Sequence, residues 1–201
     1  MAQGIILAGG FSSRTSNNKM RLSIDGKPLI IHTIEAMKPF VNKIFLITGH
    51  YDVDIRSIVN EDEKIQIIYN ADYEKGMFSS VLCGVKNVTE DFFIIPGDIP
   101  FIYASTYDAL LKGSKPIRFP SYKGKEGHPL FISIKLKEKL LKEPVDSNLK
   151  KIQTGSLHRL VVRTSGFHPG NMGSTPVGDA IFHDTPVVST GVFRLTRSLS
   201  T

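Results

Sequence analysis

Apolar and polar positions along this chain follow two alternating rhythms. Gly4-Ile5-Ile6-Leu7, Ile44-Phe45-Leu46-Ile47 and Phe92-Phe93-Ile94-Ile95 are continuous apolar runs that read as buried strands, over residues 5–8, 43–48 and 92–96. A further strand is predicted over 65–69, with Ile65, Ile67 and Tyr69 on one face and Ile68 on the other. Helical spacing predicts helices over 30–37, 52–59, 79–87 and 104–112; the first begins after Pro28 and ends before Pro39. Strand–helix–strand alternation demands crossovers. The fold class is therefore α/β, a three-layer arrangement whose mostly parallel sheet is covered on both faces. Ligands of such sheets sit at the carboxyl ends of the strands.

The first strand ends in Leu7-Ala8-Gly9-Gly10-Phe11-Ser12-Ser13-Arg14, with Lys19 and Gly26-Lys27-Pro28-Leu29 downstream. Glycines without Cβ atoms let backbone N–H groups approach phosphate oxygens. Arg14 adds a planar fork and Lys19 a mobile point charge. The bland alternative is an ordinary strand-to-helix turn with a surface Arg and Lys. The spacing excludes Gly-x-x-x-x-Gly-Lys-Ser/Thr, and Gly9-Gly10 lacks the third glycine of a dinucleotide fingerprint.

Three more segments carry candidate chemistry. In Pro96-Gly97-Asp98-Ile99-Pro100, a carboxylate stands just past a buried strand, ahead of the next helix signal near Ser105. That position suits a Mg²⁺ ion bridging an α-phosphate better than a helix cap. Asn70 to Val81 opens with a turn and brings Ser79-Ser80 to a helix N-terminus, where both capping and anion binding fit. Gly127-His128-Pro129 pins a histidine between two conformationally special residues, so its ring can be aimed.

The 201 residues amount to one domain, or one domain with an appendage, and carry a net charge of +6. The positive balance suits an anionic substrate. It does not form a basic stripe with interleaved aromatics, so nucleic-acid binding is not expected. Lys135, Lys137, Lys139 and Lys142 read as a solvated helix face. One cysteine, Cys83, cannot form an internal disulfide and reads as a small buried hydrophobe. With no apolar run long enough to span a bilayer and no leader pattern, a cytoplasmic location away from membranes is expected.

Together these residues resemble the nucleotidyltransferase signature Leu-Ala-Gly/Ala-Gly-x-Ser-x-Arg-Met-Gly-x-x-Lys. Within that superfamily the chain is most similar to the molybdenum cofactor nucleotidyltransferases, which join CMP or GMP to molybdopterin. Thr15-Ser16 replaces Met-Gly, while the Arg14 to Lys19 spacing is kept. The resemblance implies a Rossmann-like nucleotidyltransferase fold in which Leu7, Ala8, Gly9, Gly10 and Ser12 hold nucleotide. It implies that Arg14, Lys19 and Asp98 are catalytic, with Asp98 on the metal beside Gly97. It places Asn70, Gly76, Ser79 and Ser80 on the nucleotide, and Gly127, His128 and Pro129 on the acceptor. Asp184, in His183-Asp184-Thr185-Pro186, matches a second metal ligand, although Val187-Val188-Ser189 departs from the family there.

The implied reaction is Mg²⁺-dependent transfer of NMP from CTP or GTP to a molybdopterin-type acceptor, with a molybdoenzyme or its chaperone as a further partner. Ala8-Gly9-Gly10 resembles GTP users and Gly127-His128-Pro129 resembles CTP users; the balance favours CTP. A sugar-phosphate nucleotidyltransferase and a non-catalytic nucleotide-binding or regulatory protein are the alternatives.

The composition changes near residue 150. Lys151 is the last lysine, and Arg159, Arg163, Arg194 and Arg197 take over. The expected division is a nucleotidyltransferase domain over 1–150 and an irregular C-terminal extension over 151–201. An irregular tail, a partner-binding arm and a segment of different coding history all fit that extension.

Overall fold

The computed structural model of the protein describes residues 1–10, 18–122 and 125–148, and the backbone of 159–163. Ser12, Arg14 and Asp184 lie outside the described residues.

Four parallel strands form the heart of the sheet: β1 (Ala2–Ala8), β4 (Val41–Thr48), β5 (Ile65–Tyr69) and β6 (Phe92–Pro96). β1 pairs in parallel with β4 on one side and with β6 on the other, and β5 pairs in parallel with β4. The chain runs outward through β1, β4 and β5, then returns across β1 to form β6. That reversal makes the carboxyl ends of β1 and β6 a topological switch point, the customary ligand position of open α/β sheets.

The alternating faces of the strands build two cores. Ile6, Ala8, Ile44, Leu46, Phe93 and Ile95 pack under α1 (Leu29–Met37), α2 (Asp52–Ile58) and α4 (Ala104–Lys112). Ile5, Leu7, Phe45, Ile47, Phe92 and Ile94 pack under α3 (Met77–Asn87) and α5 (Lys137–Leu141). Ile65 and Ile67 join the first core and Ile68 the second, as the period of two predicts. Each fully buried aliphatic side chain contributes roughly 1.5–3 kcal/mol, so both layers are strongly held. α3 lies close on β1 because Gly84 has no Cβ; one there would stand 2.6 Å from Ile5 Cγ2.

The predicted strands over 65–69 and 92–96 and the helix over 104–112 have the expected bounds. β1 and β4 begin earlier than predicted, and α3 starts at Met77, ahead of the expected helix. Cys83 is half-buried against the second core, and burial pushes its thiol up, which suits packing rather than attack. The lysine group is less uniform than a solvated face. Lys135, Lys139 and Lys142 are not buried, but Lys137 Nζ donates to the carbonyls of Lys86 (3.1 Å) and Val88 (2.8 Å), at and just past the end of α3.

Shorter and outer strands complete the described sheets. β2 (Ser23–Ile24) and β3 (Lys27–Pro28) form a small hairpin turned by Asp25 and Gly26, both at positive φ (50° and 78°). β7 (Ile117–Tyr122) and β9 (Leu130–Ile132) carry the sheet beyond β6, β9 running antiparallel to both. β8 (Lys125–Glu126) pairs with the end of β7. The backbone of β10 (Arg159–Arg163) adds a parallel strand on β7, within the stretch whose sequence shows no clear period. Among the described residues no helix is long and apolar enough to cross a membrane.

Candidate active site

The loop leaving β1 is gripped by its neighbours. Gly9 is buried: a Cβ there would stand 2.8 Å from Ser80 Oγ and 3.5 Å from the Thr48 carbonyl oxygen. On the other side a Cβ on Gly49 would meet the Gly9 carbonyl oxygen at 2.6 Å and Tyr73 Cβ at 2.7 Å. Two facing glycines thus let the end of β1 pass between the end of β4 and the start of α3. Gly10 is different. It is exposed, and a Cβ on it would meet nothing within 4 Å, so no described neighbour requires its lack of a side chain.

Ser79 and Ser80 lie in the first turn of α3, and both are buried. Neither caps the helix: Gly76 occupies that position at φ 103°, a conformation open essentially to glycine alone. Ser79 Oγ donates instead to the Gly76 carbonyl at 2.7 Å. Asn70, just past the end of β5, donates to Ser79 Oγ (2.9 Å) and Ser80 Oγ (3.0 Å). The predicted residues Gly9, Asn70, Gly76, Ser79 and Ser80 therefore form one connected cluster.

Asp98 stands at the carboxyl end of β6, exposed to solvent on a firmly held backbone. The N–H of Gly97 donates to the Leu7 carbonyl (2.9 Å), and Thr33 Oγ1 donates to the Gly97 carbonyl (2.9 Å). A Cβ on Gly97 would meet Ile30 Cδ1 at 2.6 Å and Met20 Sδ at 3.0 Å. Met20 belongs to the short turn Lys19–Arg21, whose start is fixed by Asn18 Oδ1 accepting the Met20 N–H at 3.1 Å. Lys19 is thereby held beside the Gly97–Asp98 corner, half-buried and without an ion pair among the described residues.

β9 runs antiparallel to β6 and its first residue, Leu130, pairs with Ile94, so His128, just ahead of β9, lies towards the carboxyl end of β6. Asp98 is near enough for its carboxylate to act on the charge of His128. Burial lowers the imidazole's affinity for a proton, and the Asp98 carboxylate pulls the other way without reversing the shift. Its Nδ1 is buried with no hydrogen-bond partner among the described residues. Gly127 is fixed by its N–H donating to the Pro120 carbonyl at 2.8 Å, and Pro129 is buried just ahead of β9.

A histidine held below its ordinary value, roughly 6.5, stabilises the folded state fully above that pH. The contribution is lost as pH falls through the lowered folded value, because the unfolded chain binds the proton first. In metal-free buffer, denaturant titrations of the wild type are expected to lose stability below pH ~6.5. His128→Gln is expected to flatten that segment; an unchanged profile would contradict the burial effect.

The donor set at Asp98 suits one class of metal site. No group of three or more His, Cys, Asp or Glu side chains that could hold a metal ion occurs among the described residues. A lone exposed carboxylate is not a preformed cage, but Mg²⁺ is ordinarily held by one or two carboxylates, waters and substrate phosphates. Asp98 fits an ion that arrives with a phosphorylated substrate.

This arrangement, a glycine loop at a switch point with a carboxylate on the adjoining strand, agrees with the comparison with known families. Residues 4–160 match the model of the MobA-like NTP transferase domain. The chain belongs to this family. As a MobA-like NTP transferase it is a nucleotidyltransferase.

It is 29% identical over 150 residues to the molybdenum cofactor cytidylyltransferase of Escherichia coli, covering 73% of this chain and 78% of that protein. It is 30% identical over 160 residues to the bifunctional protein GlmU of Methanococcus maripaludis, covering 72% of this chain but only 37% of that longer protein. In fold it is similar to a nucleotidyl transferase from Methanothermobacter thermautotroptrophicus, with a TM-score of 0.70 at 18% identity over 83% of this chain and 88% of the other.

Three residues of this MobA-like site escape a reading of the sequence. Gly49 backs the glycine loop after β1, Thr33 holds Gly97, and Met20 braces the corner that carries Asp98. Only Gly49 leaves a signal, as a glycine directly after a buried strand whose neighbour is also followed by glycine.

Proposed function

We propose that this MobA-like transferase moves CMP from CTP to the terminal phosphate of a molybdopterin-type cofactor and releases pyrophosphate. The observation that carries the reading is the meeting of three groups at the switch point. The glycine loop follows β1, Asp98 follows the adjoining β6, and His128 precedes β9, which pairs with β6. Nucleotide on the loop and acceptor at Gly127-His128-Pro129 would meet over Asp98.

In this reading Leu7, Ala8, Gly9, Gly10 and Ser12 cradle the phosphates, with Gly76, Ser79, Ser80 and Gly97 completing the nucleotide side and Asn70 standing behind the two serines. Arg14 and Lys19 offset charge on the β- and γ-phosphates. An acceptor phosphate oxygen attacks the α-phosphorus in line, a new P–O bond forms, and the bond to the β-phosphate breaks with its electrons leaving on pyrophosphate. Asp98, with Asp184 as the second candidate ligand, would hold a Mg²⁺ ion, which when bound would supply charge neutralisation at the α-phosphate. His128 orients the acceptor as a neutral group; no general base is needed, because the attacking phosphate is already anionic. The cofactor is passed on to a molybdoenzyme or its chaperone, in the cytoplasm. The transferase proper spans 1–150, and 151–201 is an extension.

Similarity to the E. coli cytidylyltransferase supports both the acceptor and the base, and the partial match to GlmU favours a sugar-phosphate acceptor as the second reading. Pyrophosphate release separates them. With CTP and Mg²⁺, turnover is expected with molybdenum-loaded molybdopterin and not with hexose 1-phosphates. Turnover with a hexose 1-phosphate alone would overturn the acceptor, and binding without turnover on either would favour a non-catalytic role.

A further inference from the structure

We infer that Asn70 never touches the nucleotide and instead acts as a positioning residue, aiming the first turn of α3 at the phosphate loop through the Ser79 and Ser80 hydroxyls. This deepens the nucleotide-site reading above and rests on it.

Both hydrogen-bond donors of the Asn70 side chain are committed inward. The residue is only 5% exposed. Its amide carries two N–H donors, and these are matched by Ser79 Oγ at 2.9 Å and Ser80 Oγ at 3.0 Å. Its Oδ1 accepts the Asp72 N–H at 3.1 Å, fixing the turn that leads into α3. No amide proton remains for a base or a ribose.

The direction of each bond follows from chemistry. Ser79 gives its own proton to the Gly76 carbonyl, so its oxygen can only accept from Asn70. Ser80 Oγ also accepts from Asn70, and it lies against Gly9, where a Cβ would stand 2.8 Å away. Asn70 thus joins the end of β5, the start of α3 and the loop after β1. The site needs an amide there and not a carboxylate. The carboxylate of an Asn70→Asp variant could not donate to Ser79, and it would bury a negative charge beside the loop read as the phosphate cradle.

A positioning role and a contact role differ in what they do to ligands that lack a base. Titration calorimetry with Mg²⁺ would compare CTP, GTP and inorganic tripolyphosphate on wild type, Asn70→Ala and Asn70→Asp, each checked for folding by thermal unfolding. Asn70→Ala is expected to weaken all three ligands by a similar factor, about tenfold or more, and Asn70→Asp to weaken them further. In a Ser79→Ala/Ser80→Ala background the Asn70→Ala effect is expected to shrink towards nothing, because the groups through which it acts are gone. Weakened nucleotide binding with unchanged tripolyphosphate binding would overturn the inference, as would a full, additive effect in the serine-free background. If Asn70→Ala fails to fold, Asn70→Ser, polar and uncharged, carries the same comparison. Wild type that binds none of the three would instead overturn the nucleotide-site reading itself.

Discussion

Asp98→Ala is expected to abolish nucleotidyl transfer while leaving the fold intact. The side chain is exposed and makes no ion pair or hydrogen bond with other described residues, so nothing structural depends on it. Its backbone is held independently, through Gly97 N–H on Leu7 and Thr33 on the Gly97 carbonyl. In the proposed mechanism, what the substitution removes is the carboxylate that shares an ion with the α-phosphate. Loss of a preorganised electrostatic group costs about 10²–10³ in kcat, and loss of the ion it holds adds to that. Pyrophosphate release should therefore fall at least ~10³-fold, with circular dichroism and the unfolding midpoint unchanged. Ordinary Mg²⁺-dependent turnover in Asp98→Ala would remove the metal assignment.

The second large effect is expected at Lys19. The turn Lys19–Arg21 is fixed from both sides, by Asn18 on the Met20 N–H and by Met20 packed against Gly97. The backbone of Lys19 is therefore held at a constant place, and its charge has no ion pair among the described residues. A substrate phosphate fits that uncompensated charge. Lys19→Ala should lower kcat by roughly 10²–10³ without changing the unfolding midpoint. Lys19→Arg should recover only part of it, because a planar fork does not reproduce a compact point charge. An unchanged kcat in Lys19→Ala would show that the charge at this position does not act on the transition state.

The contrast between the two halves of the fold shows what the sequence makes legible. β1, β4 and β6 are central, doubly covered strands, so burial wrote them as continuous apolar runs. β7 is interrupted by Arg118 and Pro120. Arg118 is nevertheless buried, with its guanidinium 3.6 Å over the Phe131 ring and Nη1 donating to the carbonyls of Leu111 and Gly113 at the end of α4. Tertiary packing there overrides local composition. β9 has three residues, too few for a period to register. The β2–β3 hairpin did leave a signal, in Asp25-Gly26, the dipeptide that favours positive φ at both turn positions.

The candidate site divides in the same way. Gly9, Asp98 and Ser79-Ser80 stand out because each lies just past or at the opening of a regular element. The nearness of His128 to Asp98 is invisible along the chain. A helix and two strands intervene before β9 pairs antiparallel with β6 and returns the chain to the same end of the sheet. The role of Asn70 is equally hidden: a motif can mark the residue but not the direction in which its amide donates.

The most direct test of the central claim, a Mg²⁺-dependent nucleotide site at the carboxyl ends of β1 and β6, is calorimetric titration of the protein with CTP and with GTP, each with and without Mg²⁺. Mg²⁺-dependent binding is expected, tighter for CTP than for GTP. Failure of both nucleotides to bind in the presence of Mg²⁺ would contradict it.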